Sequence, residues 1–153
     1  MRTTFILLTW TLGLQTLSAL DWPQWRGPTR DGVWMESGVT TSLPDVITPR
    51  WSTQIGSGYC GPTVADGRVY VMDRLDEAKE IERVHCLDWQ TGKILWNYEY
   101  DCSYAGVSYR AGPRCSVLID DGFAYSLGTM GNLLCFDAKT GAAVWRPALT
   151  QAC

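Results

Sequence analysis

Positive charge is scarce in this sequence, and histidine scarcer. Thirteen Lys and Arg stand against sixteen Asp and Glu, with a single His, for a formal net charge of −3. A mildly acidic chain lacks the basic stripe that phosphate backbones require, so nucleic-acid binding is excluded as a role. No apolar run reaches the roughly 20 residues of a membrane-spanning helix. Phenylalanine is rare too, three residues against eight Trp and seven Tyr. The haem-attachment pattern Cys-x-x-Cys-His does not occur. The one histidine, His85, stands beside Cys86, but neighbouring strand residues face opposite ways and would not converge on one ion. His85 is therefore expected to be a structural residue, and no metal site is expected.

The chain does have glycine and large aromatics. Fifteen Gly and seven Pro imply many turns, and 46% hydrophobic residues suffice for a packed core. This mixture favours an all-β fold. Residues 1–19 have the form of a signal peptide: Arg2, an apolar core from Phe5 to Leu14 diluted by polar residues, then Ser18-Ala19 as a cleavage site. The mature protein is expected to be periplasmic or secreted, with no stable membrane anchor after cleavage. Six cysteines in an exported chain permit disulfides. Spacing alone does not choose among the pairings; Cys102 and Cys115 bracket a long loop and could pair.

The chain also repeats itself. The run from Cys86 to Trp96 returns from Cys135 to Trp145 as C-[LF]-D-x-x-T-G-x-x-[LV]-W, an offset of 49 residues. Upstream, Asp66-Gly67 returns as Asp121-Gly122, an offset of 55 residues. The difference fits an insertion in the charged stretch Arg74 to Arg83. Asp-Gly between β-prone residues predicts a tight hairpin, and Asp-x-x-Thr-Gly a second, longer one. Two hairpins make four antiparallel strands with a period near 50, the size of one propeller blade. Such a blade cannot bury both faces alone and must stack on neighbours. Trp51, Trp96 and Trp145 recur at equivalent points, and each indole N–H could reach a backbone carbonyl of the next unit.

These residues resemble the tryptophan-docking repeat of the quinoprotein-type, PQQ-like β-propellers. The resemblance rests on Asp88, Thr91, Gly92 and Trp96, and on Asp137, Thr140, Gly141 and Trp145. The stretch from Asp21-Trp22-Pro23-Gln24-Trp25-Arg26-Gly27-Pro28 to Gly32 is similar to the lead of exported planctomycete-type members. So is Ala111-Gly112-Pro113-Arg114 leading to Leu127-Gly128-x-x-Gly131. The resemblance implies an all-β propeller of about seven or eight four-stranded antiparallel blades, of which about two are present. On that reading residues 1–19 are the signal, 20–50 a lead segment, and 51–153 the repeats, with blades at about 60–96 and 115–145. The chain is then expected to be the N-terminal part of a longer product, with the segment around Trp51 completing its last blade.

Function is less specified, because one scaffold serves enzymes and non-enzymes alike. The leading expectation is an exported scaffold or ligand-binding module for a protein, small-molecule or sugar partner. The alternative is a quinone-dependent alcohol or sugar dehydrogenase with its active site in other blades. The resemblance raises pyrroloquinoline quinone and calcium as cofactors. No adjacent Cys-Cys pair and no calcium-type carboxylate set is visible, so cofactor and catalytic residues stay unassigned. The candidate binding loop is the insertion before the second blade. Trp96 to Gly122 spans 26 residues where Trp51 to Gly67 spans 16. It carries Tyr104, Tyr109, Arg110 and Arg114, the arginines suited to an acidic or sugar-like partner.

Overall fold

The computed structural model describes residues 20–38 and 42–145. The signal-peptide expectation and Cys153 lie outside them. Among the described residues there are eight strands and no helix. They are β1 (Thr63–Ala65), β2 (Arg68–Asp76), β3 (Glu80–Asp88), β4 (Ile94–Asp101), β5 (Leu118–Asp120), β6 (Phe123–Leu127), β7 (Leu133–Asp137) and β8 (Ala143–Trp145). Two four-stranded antiparallel sheets result, β1-β2-β3-β4 and β5-β6-β7-β8.

Each turn follows from its residues. Ala65 pairs with Arg68 and Asp120 with Phe123, leaving two-residue loops. Both central residues of each loop have positive φ: Asp66 49° and Gly67 69°, Asp121 45° and Gly122 78°. That is the hairpin turn whose twist matches the strands it joins. In the longer loops, Asp88 Oδ1 accepts from Thr91 N at 2.8 Å and Thr91 Oγ1 at 2.7 Å, and Asp137 Oδ1 accepts from the same atoms of Thr140, each at 2.7 Å. Those threonine bonds hold both carboxyls below the usual carboxylate range. Both blades carry an irregularity at the same place, Cys86/Leu87 and Cys135/Phe136.

The sheets join through aromatic rings and one shared carbonyl. Trp96 Nε1 donates to Ala138 O at 3.0 Å, and Tyr70 Oη donates to the same oxygen at 3.2 Å. Trp96 lies 5.7 Å from the Phe136 ring and Tyr98 lies 5.0 Å from it, centroid to centroid. Trp51 repeats the device one unit earlier, donating to Trp89 O at 2.9 Å. Gly92 and Gly141, at φ 69° and 74°, sit under these indoles. A Cβ on Gly141 would lie 2.6 Å from the Trp96 ring, so only glycine fits. The buried core runs through the junction: Tyr70, Met72, Val84, Cys86, Val117, Ala124, Leu134 and Phe136.

The lead segment crosses both blades at their first strands. Trp22 pairs with Val64, and Ile119 N donates to Pro23 O at 2.8 Å. Around Trp51, residues 47–54 carry no strand. Two departures from the sequence reading concern local chemistry. β4 runs to Asp101, beyond Trp96. Cys102 and Cys115 do not pair: both are free, Cys102 buried with its thiol near Asn132 and Cys115 exposed.

Candidate functional site

β2 and β3 run together past the height of the second blade. The register sets Asp73 against Arg83, Arg74 against Glu82, and Asp76 against Glu80. Alternation sends these charges to two faces. On one face Asp73, fully buried, takes Arg83 through both oxygens, at 2.8 Å from Nε and 2.5 Å from Nη2. Gly56 N donates to it as well, at 2.5 Å. His85 Nε2 lies 3.1 Å from Asp73 Oδ1. Burial pushes the Asp73 carboxyl up, but these partners outweigh it and hold it well below the carboxylate range.

The other face looks toward the second blade. Arg74 is nearly fully buried, donating to Asp76 Oδ2 at 2.9 Å, Glu80 Oε1 at 2.7 Å and Arg110 O at 2.8 Å. Its guanidinium lies 4.4 Å over the Tyr104 ring. Glu82, with no exposed surface, accepts from the hydroxyls of Tyr100 and Tyr104 and from Thr129 N. Burial first, and the Glu82 charge after it, push both tyrosine hydroxyls up, so both stay protonated donors. Gly128 is the consequence in sequence: a Cβ there would overlap the Glu82 carboxylate and the Tyr100 hydroxyl.

The insertion, residues 102–116, folds over this base. Cys102 N donates to Glu80 O at 2.9 Å and Tyr104 N to Glu80 Oε2 at 3.2 Å. Arg114 Nη2 donates to Ser108 O and Tyr109 O, each at 2.8 Å, and its Nη1 to Thr129 Oγ1 at 3.3 Å. Pro113 O accepts from both Tyr59 N and Cys60 N. The four loop residues singled out in the sequence thus occupy two settings. Tyr104 is buried and Arg114 staples the loop to itself. Tyr109, 81% exposed at φ 57°, and Arg110, 3.5 Å from Glu80 and more than half exposed, form the tip.

Sequence reasoning missed Asp73, Arg74, Glu82 and Tyr100. The signal that could have found them is the alternation of charge through β2 and β3 beside Tyr98-Glu99-Tyr100. The buried carboxylates here are saturated by guanidinium, hydroxyl and backbone donors. A calcium ion needs six to eight oxygen ligands, and the described residues hold no group of three or more His, Cys, Asp or Glu placed to bind a metal. These residues do not fit calcium. The arrangement can hold a short polar tip rigidly above a dry base.

Comparison with known proteins agrees with this architecture. The family model described as outer membrane protein assembly factor BamB, a PQQ-like repeat model, matches residues 81–153. No curated protein matches the chain. Among solved structures, a europium-containing methanol dehydrogenase superposes with a TM-score of 0.50 at 22% identity, over 64% of this chain and 17% of that one. At that identity the likeness concerns the fold, and the chain spans 17% of that dehydrogenase's length.

Proposed function

We propose that this chain, which matches the PQQ-like repeat model over residues 81–153 and shares the propeller fold, is an exported scaffold or binding module, periplasmic or secreted. Its partner would meet the 102–116 loop. The observation that carries this reading is the contrast within that loop. Tyr109 stands in solvent and Arg110, though it reaches Glu80 at 3.5 Å, keeps more than half of its side chain exposed, while the groups beneath them are buried and paired with one another. A rigid, preorganised tip loses little freedom on binding. Tyrosine and arginine are both among the residues enriched where protein surfaces are recognised. We read Trp51, Trp96 and Trp145 in the same spirit, as tryptophan-docking residues that keep such a platform stiff.

Two measurements test the proposal. A photo-crosslinking phenylalanine at position 109 of the full chain, in its native host, is expected to capture a partner protein. The same probe at Asp121, on the second blade's hairpin, is expected to capture none. Equal capture at both positions, or none at 109, overturns the role of the tip. N-terminal sequencing of the exported chain is expected to begin at Leu20. An uncleaved cytoplasmic chain overturns the location. Alcohol-dependent dye reduction by the chain loaded with quinone and calcium would instead carry the dehydrogenase reading.

A further inference from the structure

The lead segment builds a second feature, which does not depend on the role proposed for the tip at Tyr109. Between it and the second blade lies a cavity of about 380 Å³, lined by Gln24, Trp25, Arg26, Arg30, Ser116 and Leu118. Two other depressions on the described surface mix both signs of charge: one holds Arg74 and Arg83 with Asp76 and Glu77, the other Lys79 with Glu99 and Asp101. This one holds two guanidiniums and no carboxylate, on a chain whose net charge is −3. Neither Arg26 nor Arg30 forms an ion pair among the described residues. The nearby carboxylate of Asp31 feels the Arg26 charge without pairing with it; its Oδ1 accepts from Thr29 Oγ1 and Val33 N, each at 2.8 Å.

Both arginines are held in place by groups that leave part of each guanidinium free. Arg30 Nε donates to Gln24 Oε1 at 2.9 Å, and Gln24 Nε2 donates to Pro28 O at 3.1 Å. Arg26 Nη2 donates to the backbone oxygen of Asp31 at 3.0 Å. The backbone beneath is cross-linked, Gly27 N to Gln24 O, Arg30 N to Gly27 O, and Gly32 N to Arg26 O. It carries Arg26 at φ 64° and Arg30 at φ 58°, a conformation non-glycine residues rarely adopt. Such outliers persist where the surroundings over-determine them, and they gather at binding sites.

The lining also says what kind of ligand fits. Two guanidiniums with unused donors suit a carboxylate, which they can grip as planar forks. Trp25, 68% exposed, and Leu118 supply a flat apolar surface. The Gln24 amide and the Ser116 hydroxyl are engaged within the protein, the latter donating to Gly61 O at 2.8 Å. The charged groups of the lining are both positive, so an anion is favoured over a neutral sugar or a cation. We propose that this cavity is a binding site for a small aromatic carboxylate, its ring against Trp25 and its carboxylate between Arg26 and Arg30.

The test is saturation-transfer NMR and calorimetry on the full chain, with benzoate as the probe and benzyl alcohol and inorganic phosphate as controls. Benzoate is expected to bind at least tenfold more tightly than either control. Arg26→Gln with Arg30→Gln is expected to abolish benzoate binding. Trp25→Ala removes an exposed ring, so the variant remains folded; it is expected to weaken benzoate at least fivefold while leaving phosphate unchanged. Phosphate binding as tightly as benzoate would reduce the feature to a patch for any anion and overturn the proposal. Equal binding of benzyl alcohol, or no benzoate signal at all, would overturn it too. Variants at Tyr109 and Arg110 are expected to bind benzoate normally, so failure of the loop proposal and failure of this one are separable.

Discussion

In the first blade β2 and β3 run for nine residues each; in the second, β6 and β7 run for five each. Over the shared length the two are alike, with the same turn at Asp-Gly, the same Asp-Thr clasp and the same irregularity before the tryptophan. Over the extra length the first blade changes character. Its buried residues become Asp73, Arg74 and Glu82, while the second blade's centre is Ala124, Leu134, Cys135 and Phe136. The reason is geometric. A hairpin that outgrows its neighbour loses the apolar face it would pack on. What covers it here is loop, from residues 54–58, 102–116 and 128–132, and loop offers backbone N–H and C=O groups. Charges with hydrogen-bonding partners satisfy such a cover where Val and Leu would not.

Breaking the shared part should hurt most. Trp96→Ala removes the ring on Gly141 and the donor to Ala138 O, and is expected to cost about 3–5 kcal/mol. The loss should appear in denaturant unfolding of both blades together. If hydrogen exchange in β6 and β7 is unchanged in that variant, the blades are not coupled through the indole. A substitution confined to the extension should be smaller and local. Tyr104→Phe removes one of three donors to buried Glu82 and is expected to cost about 1–3 kcal/mol. Proteolysis should then quicken within 102–116 and not within β6–β7. Equal quickening in both would show that the extension is part of the common core.

Acid sharpens the contrast further. A carboxyl held below its unfolded value contributes stability above that unfolded value, and the contribution is lost as pH falls toward the folded one. Asp88 and Asp137 do this in both blades alike; Asp73 does it only in the first. Between about pH 4, the unfolded Asp value, and stronger acid, β2–β3 amides should therefore lose protection more steeply than β6–β7 amides. Glu80, also held low in β3, adds to this excess, so Asp73→Asn should reduce it. Thiol chemistry gives the smallest effect. Cys115 is exposed, while burial pushes Cys86 up to about 11 and Cys102 up to about 12. Peptide mapping after brief alkylation should find Cys115 modified and Cys86 and Cys102 spared.

The comparison also explains what could be read in advance. Asp-Gly and Asp-x-x-Thr-Gly were legible because the residues that dictate each turn lie within it. The stacking of Trp96 was legible because the same eleven-residue pattern occurs twice. The burial of Arg74 and Glu82 was not, since a run of charges is ordinarily a solvated face. Their partners, Arg110 O and Thr129 N, are 36 and 47 residues further along. Tyr104 and Arg114 carried the same ambiguity: types suited to a ligand are equally suited to an internal bond. Only the neighbours decide, and these came from three separate loops.

The placement of the indoles has a consequence for the order of assembly. Trp51 finds its acceptor 38 residues later and Trp96 finds its own 42 residues later. A chain emerging amino end first therefore completes each junction as soon as one more unit has appeared. Such short-range closure is unusual for an all-β protein, whose contacts are commonly distant and slow to form. Growth of this kind leaves little sticky surface exposed at the junctions.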